Sequence, residues 1–589
     1  LRQKPGTARP FGAAALIIAA SLASPASAQS APPAGLTAPP TREEIERPVA
    51  PPPARAPKLD VEGDIERAPC PLDSPAYAEI RVKIEDAIFN NLKGATPEEL
   101  RGTYSAYLGK DQPIRVICEI RDAAATLLRR KGYLAAVEVP TQRIENGVVR
   151  FEVLYARITA IRVRGDAGRT EELIAGYLGR LTKDEIFNRY DAERYLLLAR
   201  DLPGYDVRLS LRPAGTAPGD LIGEVIVLAT PIEADFNLQN LAAKDTGRFS
   251  GQMRVQFNGL TGMGDRTSIA LYSTADFEEQ QILQLAHEFK LGAEGLTLGG
   301  RFTYAWTKPD IDAAAGAPEI TARTLFASFE ASYPFVRTQA ADIRGSAGLD
   351  FVNQRVRFLG PLSNDRVRVA YLRLDANAID TRAVRMPKWR VAGTLELRKG
   401  LDIFGASERC GAACPMGTVT ASRLDGDASA TVIRFAGLAE YAVSPMLSVA
   451  ILPRLQYAFD PLLSFEEYSA GAYTIGRGYD PGTIIGDDGA GFQFELRAGR
   501  LQPFASTSLV MQPFVFVDQA WVWNKDRGAA IDPERLTSVG GGVRATWDDR
   551  VRLDMILAVP TRRAGLQTEK GDPRLLITLA TRLMPWGGR

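Results

Sequence analysis

At 589 residues the chain exceeds one compact domain, so at least two or three are expected. Its 71 basic and 70 acidic side chains leave a net charge of +1, which gives no general electrostatic case for nucleic acid. The single histidine, His287, argues against a histidine-based metal site or a histidine triad, and no cofactor is expected. Residues 1–28 have the make-up of an export signal: basic Arg2, Lys4 and Arg9, an apolar run from Phe11 to Ala23, and the small-x-small site Ala26-Ser27-Ala28. That run is shorter than the ~20 residues of a spanning helix. No long apolar run follows it, so a spanning helix is not expected. A spanning barrel is compatible, because its strands need only ~9–11 alternating residues.

Residues 29–72 are rich in Pro and Ala, with Pro51-Pro52-Pro53 at the centre, and read as an extended linker. Its one helix-like piece runs from Thr41 to Glu46, with Thr41 as N-cap, Glu44 completing a capping box and Pro48 as the stop. The cysteines fall into two pairs. Cys70 and Cys118 lie in the N-terminal half, and Cys410 and Cys414 lie in a long polar loop. In an exported chain all four are disulfide candidates. The Cys-x3-Cys spacing has no histidine near it, and no metal is expected there.

Two similar units follow, over residues 73–155 and 156–230. The first reads as a strand around Ala78 to Ile84, then a helix after Thr96 with Pro97 at its first position. A second helix spans about Pro113 to Arg130, and strands run from Leu134 to Val139 and from Val148 to Leu154. The second unit repeats the order. It has a strand at Ile158 to Val163, helices Thr170 to Leu181 and Tyr190 to Leu202, and strands Tyr205 to Leu211 and Leu221 to Leu228. Each is β-α-α-β-β, and taken alone the pair reads as two small α+β domains.

From residue 231 to 589 the helix period disappears and a period of two takes over. Trp389, Val391, Leu395 and Leu397 oppose Arg390, Thr394, Glu396 and Arg398. Leu298, Phe302, Tyr304 and Trp306 oppose Thr297, Arg301, Thr303 and Ala305. A soluble sandwich would alternate in the same way. Charges at inner positions (Glu495, Arg497), aromatics at strand ends (Trp306, Trp521, Trp523) and loops of alternating length favour a membrane barrel. The tight turn at Asp548-Asp549 contrasts with the polar excursion from Gly400 to Asp427. Sixteen strands are expected, with centres near residues 236, 254, 269, 286, 301, 328, 346, 371, 394, 434, 452, 495, 515, 542, 555 and 579.

Between strands eleven and twelve stands Thr474-Ile475-Gly476-Arg477-Gly478-Tyr479, followed by Gly486-Asp487-Asp488-Gly489; strand thirteen carries Phe516-x-Asp518-x-Ala520. With Asn237 to Asn240, Thr246-Gly247-Arg248 and Tyr333-Pro334-Phe335, these residues resemble the two-partner secretion translocators of the haemolysin secretion/activation family. The resemblance spans nearly the whole mature chain and implies POTRA-type units before a sixteen-stranded outer-membrane barrel. It places Arg477, Gly478 and Tyr479 in the motif of the sixth extracellular loop. Gly476 stands where that motif has an aliphatic residue, and Ala520 stands where the family's thirteenth-strand motif, Phe-x-Asp-x-Gly, has its Gly. The family can carry an N-terminal helix that plugs the barrel; here only Thr41 to Arg47 has helical character. The last residues, Met584 to Arg589, lack a terminal aromatic, and Trp586 or Leu583 stands in for one.

The residue chemistry gives the motif a job. Arginine offers a planar fork of donors that a carboxylate accepts bidentately. Asp518 shares a face with Phe516 and Ala520, opposite Val515 and Val517, and should point into the lumen. Arg477 is therefore expected to pair with Asp518, Gly478 to let the loop turn tightly, and Tyr479 to pack on the wall. Glu495 reads as a wall charge setting pore polarity. The resemblance implies a transporter, not an enzyme. An unfolded exoprotein would add as a strand to a POTRA sheet edge, pass through the barrel and fold outside. The edge expected to receive it is the strand of Tyr205, Arg208, Leu211 and Arg212. Partners are then the exoprotein and outer-membrane lipid, with no nucleic acid and no nucleotide. A barrel-assembly factor of the same superfamily, and after it a passive porin, are the alternatives.

Overall fold

A computed structural model of the chain describes residues 40–46, 69–165, 167–183, 185–217, 219–310, 319–381, 387–409, 417–503, 508–525, 533–548 and 550–585. The expected export signal, most of the Pro-rich extension, Cys410, Cys414, Asp549 and Trp586 lie outside the described residues. No described helix is long and apolar enough to cross a membrane.

Helix α1 is one turn, Arg42–Ile45. Thr41 caps it: the Glu44 amide donates to the Thr41 hydroxyl, and the Thr41 amide donates to the Glu44 carboxylate at 2.7 Å. The first α+β unit holds β1 (Arg81–Lys83), β2 (Asp86–Asn90), α2 (Pro97–Arg101), β3 (Asp111–Pro113), α3 (Val116–Arg130), β4 (Ala135–Glu138) and β5 (Val148–Tyr155). Its sheet runs β2-β5-β4, with β2 parallel to β5 and β4 antiparallel to it. This corrects the expected first strand. Among the described residues, 81–83 pair only with β3, and the sheet takes Asp86–Asn90 instead. Val82 and Ile84 alternate and are buried, but they pack beside the sheet rather than within it. The Cys70–Cys118 disulfide ties the start of the unit to α3, with Cα atoms 6.0 Å apart.

The second unit holds β6 (Arg157–Gly165), α4 (Glu171–Gly179), α5 (Arg189–Arg200), β7 (Tyr205–Pro213) and β8 (Asp220–Ala229), in the sheet order β6-β8-β7. Each unit buries the apolar face of its sheet under its helices, around Phe151 and Leu128 in the first and Val225 and Leu196 in the second.

Sixteen antiparallel strands then close into one barrel, with the first hydrogen-bonded to the last. In chain order they are Ile232–Gln239, Ser250–Asn258, Arg266–Thr274, Gln280–Leu291, Leu296–Thr307, Ile320–Arg337, Ala341–Phe358, Gly360–Ile379, Trp389–Gly400, Thr431–Ser444, Leu447–Ala458, Asp488–Ala498, Leu509–Trp523, Glu534–Trp547, Val551–Pro560 and Arg574–Met584. All sixteen expected centres fall inside these strands. Trp389, Val391, Leu395 and Leu397 are exposed on the outer face, while Glu396 and Arg398 are buried on the inner one. An outer band of exposed Leu, Phe and Val is unfavourable in water and stable against acyl chains. At the seam Asn240 lengthens the pairing of strands one and sixteen. Its side-chain amide donates to the Leu575 carbonyl at 2.8 Å and its carbonyl accepts from the Ile577 amide at 2.7 Å.

The second unit sits on the short-turn rim. Arg337, at the end of strand six, pairs bidentately with Asp201 just past α5, at 2.6 and 2.7 Å. Arg194 of α5 donates to the Pro334 carbonyl at 3.0 Å. The Tyr333-Pro334-Phe335 stretch is thus the landing for α5.

Candidate functional site

Residues 459–487, between strands eleven and twelve, fold back into the bore instead of projecting from the rim. Tyr468–Ala470 pairs with Ile484–Gly486 as a short hairpin, and Tyr468, Ala470 and Ile484 are buried. Two ionic anchors hold the base of this loop. At the first, Glu466 accepts from Arg398 Nε and Nη2, both at 2.9 Å, and from Arg434 at 3.0 Å. Arg398 itself is 1 % exposed and also reaches Asp350 and Glu396. At the second, the fully buried Asp487 accepts from Arg423 at 2.8 Å and from the amides of Leu462 and Lys525.

The tip carries Arg477. Its Nη2 lies 2.6 Å from Asp518 Oδ1, its Nε 3.0 Å from Asp518 Oδ2, and its own backbone amide 2.9 Å from the same oxygen. Nη1 lies 2.6 Å from Glu495 Oε1. The guanidinium also rests 3.6 Å from the ring centre of Phe516, a cation–π contact on the apolar side. Asp518 is fully buried and receives the Ser538 hydroxyl as well.

Glu495 is not a simple pore charge. It lies between three guanidinium groups, of Arg477, Arg497 and Arg544, and Arg497 continues to Glu440 at 3.0 Å. Three arginines face three carboxylates, so the cluster is neutral as a whole. This arrangement satisfies buried charges that would otherwise be costly.

Glycine earns its place here by close approach. A Cβ on Gly478 would stand 2.8 Å from the Pro560 nitrogen and 2.9 Å from Ser538 Cβ, so the loop backbone lies directly on the wall. A tight turn does pass through Gly478: the Tyr479 amide donates to the Gly476 carbonyl at 2.9 Å, with Arg477 and Gly478 between them. The unusual backbone belongs to Gly476, at φ +121°. The aliphatic side chain that the motif calls for is supplied one residue earlier by the buried Ile475. Tyr479 is buried, its hydroxyl 2.9 and 2.8 Å from the carbonyls of Thr537 and Arg562. Ala520 pairs with Gly491, whose missing side chain leaves room for the alanine methyl.

The bore also contains α1. Ile45 is fully buried against Phe326, Val352 and Phe465, and Arg42 approaches Glu396 and Glu466. Sequence reasoning found the cap of this helix but not its seat. It also missed Arg544, Glu440 and Glu466, and it placed Arg398 on the inner face without its partners. The signal was present in charges at inner strand positions, but pairing them needs the barrel register. Strand β7 is an edge of its sheet, as is β6. Arg208 and Arg212 are exposed there and pair with Asp206 and Glu224, whereas Leu211 is in the core and Tyr205 donates inward toward Ala167 and Thr170.

A closed sixteen-stranded barrel with an apolar exterior, α+β units on its short-turn rim and an arginine-tipped loop clamped inside defines an outer-membrane barrel protein with an occupied bore. Residues 227–545, more than half of the chain, match the model of the haemolysin secretion/activation protein ShlB/FhaC/HecB family, and the chain belongs to that family. The heme/hemopexin transporter protein HuxB of Haemophilus influenzae is 24% identical over 192 residues, which are 31% of this chain and 33% of that protein. The match thus spans about one third of the length of that curated relative. Among solved structures, CdiB from Escherichia coli is similar at TM-score 0.70 and 15% identity, covering 88% of this chain and 94% of that one. CdiB from Acinetobacter baumannii is similar at TM-score 0.61 and 16% identity, covering 90% and 94%. The barrel lies in the outer membrane, with the N-terminal units in the periplasm.

Proposed function

We propose that the chain is the translocator of a two-partner secretion pair, moving a large exoprotein from the periplasm to the cell surface. The observation that carries this reading is the bore itself. It is filled by an inward loop held by ionic anchors at base and tip and by the separate segment 40–46. A passive pore has no use for either. Residues 73–155 and 156–230 act as two POTRA units that receive the unfolded partner, and the exposed arginines Arg208 and Arg212 lie on β7, an edge strand to which a further strand can add. Release of the Arg477–Asp518 clamp opens the path. Folding of the cargo outside biases the direction, so no nucleotide is consumed.

The test is deletion of the gene, followed by a census of the cell surface, the culture medium and the outer membrane. Loss of one large exported protein, with other outer-membrane barrels at normal abundance, is expected. A general fall in outer-membrane barrels would instead assign the chain to barrel assembly.

A further inference from the structure

The segment in mid-bore is held by contacts that address features any acidic polypeptide carries. Gln284 donates its side-chain amide to the Ile45 carbonyl at 2.9 Å, and Gln354 donates to the Pro40 carbonyl at 3.1 Å. Both amides are oriented by neighbours on the wall: Gln252 donates to Gln284 at 3.3 Å, and Gln354 lies 3.1 Å from the Thr324 hydroxyl. An amide donor aimed at a main-chain carbonyl recognises a group present on every residue. Two wall arginines add a charge preference. Arg454 pairs with Glu43, and Arg301 reaches Glu46 at 3.5 Å. Residues 41–46 carry Arg42 against Glu43, Glu44 and Glu46, so the segment is an anion overall. Beside it lies a cavity of 570 Å³ whose wall carries Arg434, Arg454, Gln456 and Asn237 and one carboxylate, Glu396, which continues the polar track along the wall.

Resting on the translocator reading, we propose that Gln284, Gln354, Arg301 and Arg454 form a binding site in the bore for an acidic polypeptide segment. Residues 40–46 occupy it as a built-in stand-in for the passing chain. Departure of the segment withdraws carboxylates from Arg301 and Arg454 and main-chain carbonyls from both glutamines. The next acidic stretch to enter then meets oriented donors rather than a bare wall. The site favours cargo whose leading portion carries spaced carboxylates, and it lets the segment return once the cargo has passed.

The experiment uses the full chain lacking only residues 40–46, in planar bilayers, with a synthetic peptide copying residues 40–46 added to the POTRA side. The peptide is expected to block the current. A version with its three glutamates changed to glutamine should need at least tenfold more peptide for the same block. Arg301→Ala with Arg454→Ala, and separately Gln284→Ala with Gln354→Ala, should each raise the blocking concentration at least tenfold. Equal block by both peptides, or block unchanged in the variants, overturns the site. Should the deletion fail to fold, Glu43→Gln with Glu46→Gln in the intact chain serves instead. Openings more frequent than in the parent are expected, and unchanged openings overturn the proposal. No cargo enters this experiment, so a failed block leaves secretion standing, and a failed secretion assay leaves the block standing.

Discussion

Arg477 is a cation 6 % exposed, and its stability depends on how many carboxylates reach it. Asp518 takes two of its donors and Glu495 a third. Removing one partner of such a buried pair leaves an uncompensated charge and costs about 3–5 kcal/mol. Asp518→Asn should therefore release the tip, and trypsin should cut after Arg477 in the variant but not in the parent; equal resistance would contradict the clamp. Because Glu495 also holds Arg477, the swap Arg477→Asp with Asp518→Arg sets a new carboxylate against Glu495, and only partial recovery is expected. Glu495→Gln should be the more damaging single change, since it removes the shared partner of three arginines. A lower temperature for loss of heat-modifiable gel mobility than in Asp518→Asn checks this. Gly478→Ala should imitate Asp518→Asn without touching a charge, because the added methyl meets the Pro560 backbone.

The elements differ in how openly the sequence declares them. The barrel strands were legible because lipid outside and water inside impose opposite demands on alternate residues, as along Trp389 to Arg398. The first strand of the first unit was misplaced for the same physical reason. Val82 and Ile84 also alternate, while Asp86–Asn90 opens on a charged residue. Thr41 and Thr96 announced their helices through capping boxes, a local interaction written in four residues. The seat of α1 in the bore and the partners of Glu495 were not legible, because both depend on which strands the closed barrel sets opposite each other. At this scale the joint between α5 and the barrel is testable. Asp201→Asn removes the carboxylate of a part-buried pair worth about 1 kcal/mol. Hydrogen exchange of the α5 amides should rise while barrel amides stay protected. An unchanged α5 would show that the Arg194 contacts suffice.

Across the whole molecule, one architecture answers two solvents. Exposed Leu372, Phe329 and Val515 face outward, and Asp518, Glu495 and Arg398 face inward. Among the described residues, two pieces of chain that touch each other through Ile45 and Phe465 occupy the bore, the loop of residues 459–487 and the segment 40–46. The proposed function requires both pieces to yield when cargo passes, and that requirement separates it from a static channel. The most direct measurement is single-channel conductance of the full chain in planar bilayers, against the variant carrying Asp518→Asn and Glu495→Gln. The parent should be mostly closed and the variant should conduct in large, long-lived steps while keeping its heat-modifiable barrel. Identical conductance in the two proteins would contradict the claim that the inward loop is the gate.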